Sequence, residues 1–274
     1  MTYKLYLVFL IVILLSLKSF AGNNDVFSSY DNSILQDDKD SLFSCDGPII
    51  VYENDRINSY GVRPNDNGFS VYKKSISRST DLTCYVDETL QSFSFKLKDT
   101  IKTETSVYPA PDKMFIISDI EGNFKGFQSI LAGAGVIDAD FKWTFSSGHL
   151  VFVGDMFDRS PNVTECLWLL YKLESEAEMQ GGKIHFILGN HEVMNMNKDY
   201  RYVRQKYFIN ADSLKLDYSK WYAANTELGR WLRSKNCIEK IGDIVFVHGG
   251  ISKDFPYAEN SLDEINDSFR NRLD

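Results

Sequence analysis

Ile184-His185-Phe186-Ile187-Leu188-Gly189-Asn190-His191-Glu192 is an apolar run that gives way at once to small and polar residues. A short apolar run closed by glycine reads as a buried strand. Gly189 to Glu192 then sit at its C-terminal mouth, which is where open α/β sheets keep their chemistry. Asparagine can offer one carbonyl oxygen to a hard metal ion, and the adjacent histidine can hold a proton over the same place. One such junction is a weak signal.

Three more junctions share the design. They are Phe115-Ile116-Ile117-Ser118-Asp119-Ile120-Glu121-Gly122-Asn123, Leu150-Val151-Phe152-Val153-Gly154-Asp155-Met156-Phe157-Asp158-Arg159, and Ile244-Val245-Phe246-Val247-His248-Gly249-Gly250. Helical patterns alternate with these strands. One helix carries Phe124, Phe127, Ile130 and Leu131; the next carries Cys166, Leu170, Leu173 and Ala177, with Ser160 as its expected cap, Pro161 in its first turn and Gly181-Gly182 at its end. Strand, loop and helix in repetition predict an α/β sheet. A third helical region is expected around 216–235, with Trp221, Leu228 and Trp231 as core residues, and a last amphipathic helix from Ser261 to Asp274.

In order, the four blocks read Asp-x-Glu-Gly-Asn, Gly-Asp-x-x-Asp-Arg, Gly-Asn-His-Glu and His-Gly-Gly. This series resembles the calcineurin-like metallophosphoesterase superfamily, in particular its phosphoprotein-phosphatase type, and the Met-Asn and Arg-Tyr-Val residues after His191 resemble the bacterial Shewanella-like branch. The resemblance covers roughly residues 113 to 274. It implies a four-layer α/β/β/α sandwich and hydrolysis of phosphate monoesters by a metal-bridging hydroxide. It also implies two divalent metal ions, manganese first among manganese, iron, zinc and magnesium. Such a pair, about 3.5–4 Å apart, neutralises phosphoryl oxygens and supplies hydroxide at neutral pH.

Carried over by residue, the resemblance assigns Asp119, Asp155, Asn190 and His248 to the metals, with Asp155 bridging. His191 becomes the general acid, Asp158 its orienting carboxylate, and Arg159 a two-pronged phosphate donor, with Asn190 and Arg201 as further substrate-binding candidates. A solvated helix face is the alternative account of Arg201 and Arg204. Two departures stand out. Glu121 occupies a position where the family has histidine, so it is either an anionic metal ligand or points away. No histidine follows His248, although the family places another metal-binding histidine downstream. The sequence therefore predicts a second sheet that is incomplete at its C-terminal end and a weakly held second metal. The rival reading is a phosphoesterase-fold binding protein that has lost turnover. Retention of Asp158, Arg159 and His191 argues against it, because pure binding does not need a proton donor. The substrate expected is a phosphorylated protein or a small phosphate ester.

Composition sets the outer limits. The 274 residues are 43% apolar, enough for one substantial core. The net charge is −8, with no basic cluster longer than Lys73-Lys74, which makes nucleic acid an unsuitable partner. Lys4, the apolar run Leu5 to Leu17 and the small-residue site ending at Ala21 form a secretory signal pattern over residues 1–21. That run is shorter than the roughly 20 residues needed to span a bilayer, so the expected product is periplasmic or secreted, with no stable membrane anchor after cleavage. A flexible linker is expected over 22–47, a β-rich region over 48–108, and the phosphoesterase domain from 109, after Pro109-Ala110-Pro111. In an exported chain Cys45 and Cys84 are the plausible disulfide pair, whereas Cys166 and Cys237 read as buried thiols.

Overall fold

A computed structural model of the chain describes residues 43–86, 89–253 and 260–273. The signal pattern and most of the expected linker lie outside the described residues. The chain opens with β1 (Asp46–Glu53), β2 (Arg56–Asn65) and β3 (Gly68–Ile76), an antiparallel meander, followed by the hairpin β4 (Leu82–Val86) and β5 (Gln91–Phe95). The first strand thus starts two residues ahead of the expected boundary.

Beyond a two-residue strand, β6 (Val107–Tyr108), the α/β unit runs through β7 (Met114–Ile117), α1 (Phe124–Gly133), β8 (His149–Val153), α2 (Val163–Met179) and β9 (Lys183–Ile187). The remaining elements are α3 (Asn190–Met196), α4 (Gln205–Leu214), a 3-10 turn at Tyr218–Lys220, α5 (Glu227–Arg233), β10 (Ile238–Ile241), β11 (Ile244–Val247) and α6 (Leu262–Arg270). β7, β8 and β9 form a parallel sheet with β8 in the middle, which leaves their C-terminal ends on one rim. The second sheet has the order β11-β10-β6. Val151 and Ile187 of the first sheet pack with Ile241 and Phe246 of the second, giving the two-sheet α/β sandwich that the blocks imply.

The periodic reading of α2 is correct as far as it goes, because Cys166, Leu170, Leu173 and Ala177 are all fully buried. The opposite face is buried too. Trp168 stacks on Phe95 with centroids 4.4 Å apart and donates its indole N–H to the Pro48 carbonyl at 2.8 Å. The N-terminal β region is therefore packed onto the helix that serves the first sheet. Its start is a correction: Asn162, not Ser160, is the N-cap residue, since Ser160 and Pro161 still belong to the site loop. At the other end Gly181 adopts φ 74° and the Gly182 N–H returns to the Ala177 carbonyl at 2.8 Å, as the glycine pair requires.

The single helix expected near 216–235 is instead a 3-10 turn and the short α5, separated by Thr226, whose hydroxyl caps α5 at Gly229. The tryptophans there are core, with Trp221 and Trp231 each 1% exposed. The last amphipathic helix is present as α6, its capping box closed by Ser261 and Glu264. The expected Cys45–Cys84 bridge is corrected as well: both side chains remain thiols. Burial pushes the Cys84 thiol well up, which keeps it protonated and unreactive. No helix among the described residues is long and apolar enough to cross a membrane.

Two buried polar clusters flank this frame. Lys235 lies between Glu174 and Glu104, the latter 3.0 Å away; Lys183 reaches Glu104 at 2.6 Å and Lys98 reaches Glu174 at 2.8 Å. Between the sheets, His185 bonds Glu239 through Nδ1 at 2.6 Å and His149 through Nε2 at 2.9 Å. Both histidines are structural, as residues within or beside buried strands usually are.

Candidate active site

The loops after β7, β8, β9 and β11 converge on one spot. Oxygen atoms of Asp119 and Asp155 and a ring nitrogen of His248 lie within 4.8 Å of one another. His248 Nε2 is 3.1 Å from Asp155 Oδ2 and 3.1 Å from the Asn190 side-chain oxygen, which brings Asn190 into the same cluster. The other ring nitrogen, Nδ1, donates to the Val153 carbonyl at 2.8 Å, which fixes the ring with Nε2 turned toward the cluster. Asp155 holds the His248 imidazole up at about 9 through this contact, against the downward pull of burial. Burial pushes Asp155 up, but hydrogen bonds from His248 and the His191 backbone outweigh it and the net direction is down.

Two carboxylates, an imidazole and an amide oxygen that together stabilise positive charge are a donor set that fits a hard or borderline divalent ion. The close approach of the loops accounts for a glycine. A Cβ on Gly154, whose φ is 80°, would come within 2.7 Å of the Gly189 Cα and 2.8 Å of His248 Nδ1. Five residues with side chains also hold left-handed backbone here: Asp119 (φ 55°), Glu121 (48°), Asp155 (59°), Asp158 (74°) and Arg159 (61°).

Next to the cluster stands a second unit. His191 Nδ1 meets Asp158 Oδ2 at 2.6 Å, and its Nε2 faces Asp155 Oδ2 at 4.0 Å. His191 and Asp158 are both buried. Asn195, one helical turn beyond His191, donates to the second Asp158 oxygen at 2.8 Å, and Tyr218 donates to the Asn195 side-chain oxygen at 2.9 Å.

The site is held together by Glu192. Its carboxylate, fully buried, accepts from the backbone N–H groups of Gly189 (2.7 Å) and Asp155 (2.9 Å) on one oxygen and of Met156 (2.7 Å) and Phe157 (3.3 Å) on the other. Burial pushes this carboxyl up, and the Asp155 charge adds to that while the backbone donors oppose it.

The remaining candidates fall elsewhere. Glu121 is not in the converging cluster; its Oε1 is 2.9 Å from Arg159 Nε, which takes the second of the two alternatives left by the sequence. Arg159 lies over the Tyr202 ring at 5.1 Å and is half exposed. Arg201 is held by Asp199, Nη2 to Oδ2 at 2.5 Å, and faces solvent, which favours the surface reading of that residue. Asn195 and Tyr202 fall in the Met-Asn and Arg-Tyr-Val stretches that carry the resemblance, which gives them no role; the spacing of four between His191 and Asn195 is the available sign for one, and Tyr218 has none. A cavity of about 1270 Å³ opens well away from these loops, beside Lys235 and the strap 94–105.

The fold and these loops define a metallophosphoesterase: residues 113–274 match the calcineurin-like phosphoesterase family, and the chain belongs to it. Within that family it lies with the Shewanella-like phosphatases. It is 27% identical over 209 residues to Shewanella-like protein phosphatase 2 of Arabidopsis thaliana, covering 60% of this chain and 52% of that one. To Shewanella-like protein phosphatase 1 of Plasmodium berghei it is 28% identical over 178 residues, covering 61% and 48%. The crystal structure of a cold-active protein-tyrosine phosphatase of a psychrophilic Shewanella species superposes with a TM-score of 0.74 at 35% identity, over 84% of this chain and 69% of that one. The chain spans about half the length of the curated relatives it matches.

Proposed function

We propose that this protein hydrolyses phosphate monoesters in a metal-dependent reaction, with a phosphorylated protein as the substrate class suggested by its phosphatase relatives. The observation that carries the reading is the placement of the Asp158–His191 pair, with Nε2 facing Asp155 at the edge of the donor cluster. A metal-storage or binding site has no use for a buried, carboxylate-oriented imidazole beside its ligands, whereas a hydrolase needs one to protonate a departing alkoxide.

Asp119, Asp155, Asn190 and His248 would hold the divalent ions, for which we propose manganese because oxygen donors predominate. Bound there, the ions supply charge neutralisation for the phosphoryl group and activation of a water at neutral pH. Arg159 leaves Glu121 to clamp phosphoryl oxygens with its planar donor pair. Asp158 fixes the ring so that His191 presents Nε2 to the ester oxygen, and the proton passes from Nε2 to that oxygen as the bond to phosphorus breaks. Glu192 keeps the two strand-end loops in register throughout.

Hydrolysis of p-nitrophenyl phosphate with added manganese tests the proposal. Activity that chelation removes and Asp155→Asn abolishes, with loss of bound metal, is the expected result; metal binding without turnover of any phosphate ester would instead favour the binding-protein reading. We further propose that the chain is exported, on the strength of Lys4, the Leu5–Leu17 run and Ala21. A secreted protein whose N-terminus by mass spectrometry is Gly22 is the expected finding, and Met1 on protein recovered outside the cytoplasm would contradict it.

A further inference from the structure

We propose that Asn195 and Tyr218 are positioning residues for the proton donor, forming with Asp158 and His191 a buried four-residue relay. The inference rests on the reading of His191 as general acid and extends it to two residues that touch neither metal ligands nor substrate.

Each atom in the relay has one role that its neighbours enforce. Asp158 uses Oδ2 for His191 and Oδ1 for the Asn195 amide, so its carboxylate cannot rotate without breaking one of the two bonds. The same Asn195 nitrogen also donates to the His191 carbonyl at 3.0 Å, tying the amide to the turn of α3 that carries the histidine. An asparagine amide could flip by half a turn and set its oxygen against the carboxylate. The two acceptors facing its nitrogen, Asp158 Oδ1 and the His191 carbonyl, oppose this, and the Tyr218 hydroxyl holds the amide in that setting by donating to the Asn195 oxygen at 2.9 Å. Burial pushes the Tyr218 phenol well up, so the hydroxyl keeps its proton and remains a donor. All four residues are 4% exposed or less, and water does not compete for these bonds. The chain therefore fixes the direction of Nε2 from a point in the core, the Tyr218 turn, that is remote in sequence from every site loop.

A positioned proton donor matters in proportion to how badly the leaving group needs a proton. An alkyl alkoxide needs one; p-nitrophenolate does not. Loosening the relay should therefore separate two substrates that a general loss of structure would affect equally. The experiment compares kcat for p-nitrophenyl phosphate and for a phosphoserine peptide in the manganese-loaded protein, for the wild type, Asn195→Ala and Tyr218→Phe. We expect Asn195→Ala to lower kcat for the phosphoserine peptide by at least 10-fold and for p-nitrophenyl phosphate by less than 3-fold, with KM and bound manganese retained. Tyr218→Phe, which removes only the hydroxyl and keeps the packed ring, should give the same pattern at about 3-fold. Equal losses on both substrates, a change confined to KM, or loss of manganese would overturn the proposal.

A second readout does not depend on turnover. With only four histidines in the chain, the Nδ1 proton of His191 can be assigned by nitrogen-edited NMR, and it should resonate far downfield in the wild type and exchange faster with water in both variants. An unchanged, slowly exchanging resonance in Asn195→Ala would overturn the relay even if the protein proved inactive on every ester. Wild-type protein that keeps the downfield proton but hydrolyses neither substrate would instead remove the phosphoesterase reading and leave the geometry standing.

Discussion

Glu192→Gln is the most demanding single test of how the site is held. The change is isosteric and keeps one carbonyl oxygen, but the amide presents two donors where a carboxylate oxygen stood. Two backbone N–H groups depend on each oxygen, those of Gly189 and Asp155 on one and those of Met156 and Phe157 on the other. Whichever way the glutamine amide turns, two buried N–H groups face an NH₂. An unsatisfied buried donor costs about 1–3 kcal/mol, so the substitution should destabilise the protein by about 4 kcal/mol, a large share of a typical stability of roughly 5–15 kcal/mol. Equilibrium urea unfolding would read this as a midpoint lowered by about 1 M or more. Because the same four N–H groups set the loops that carry Asp155 and Asn190, manganese affinity measured by calorimetry should fall as well. A variant that unfolds within about 1 kcal/mol of the wild type and binds manganese normally would refute the view of Glu192 as an anionic anchor. It would mean that the carboxyl is protonated in the native protein.

Three further outcomes follow from the geometry. His191→Ala should lower turnover of an alkyl phosphate by about 10²–10⁴-fold, the usual worth of a positioned acid, while bound metal measured by emission spectrometry stays constant; metal loss would place the residue among the ligands instead. Burial pushes Glu104 up, but Lys235 and Lys183 overcome it and bring its carboxyl down to about 2 from its ordinary 4.5. A lowered carboxylate stabilises the fold above its unfolded value, so about 3 kcal/mol should be lost as pH falls from roughly 4.5 toward 2, and a Glu104→Gln variant should lack that part of the acid transition. Burial, with His185 and then Lys183, lowers His149 to about 4 from 6.5. The contribution of this neutral histidine is present above pH 6.5 and is lost on acidification toward 4, which a flatter thermal-stability profile for His149→Gln over that range would confirm.

What could be read from the sequence depended on whether the signal was local. Asp119, Asp155, Asn190 and His248 each end an apolar strand, so strand pattern and polar punctuation located them without knowledge of the packing. The alternation in Ile49–Tyr52 and Phe69–Tyr72 revealed a β region, but nothing in those runs says that Pro48 and Phe95 would meet Trp168. The 3.6-residue pattern of α2 showed one apolar face and concealed the other, because an aromatic face buried by a preceding domain has no separate period. Glu121 could not be placed by residue type alone: a carboxylate near a metal site suits the metal and a neighbouring guanidinium equally well, and Arg159 is the partner the backbone offers. The charge of Arg201 suits a substrate and a solvated face equally, and its pairing with Asp199, two residues away, is a contact that residue type alone does not announce. The Tyr218 contact joins residues 23 positions apart across a loop and a helix, and no periodicity announces such a meeting.

The left-handed backbone at Asp119, Glu121, Asp155, Asp158 and Arg159 has an evolutionary consequence. A side chain in that region costs on the order of 1 kcal/mol relative to glycine, so at these five positions selection for stability and selection for chemistry pull in opposite directions. A lineage that stopped needing catalysis would gain stability by drifting to glycine there, while its core, its strands and its tryptophans stayed unchanged. Glycine accumulating at these places in descendants of this chain would therefore record the loss of the proposed reaction before any sign of decay reached the fold.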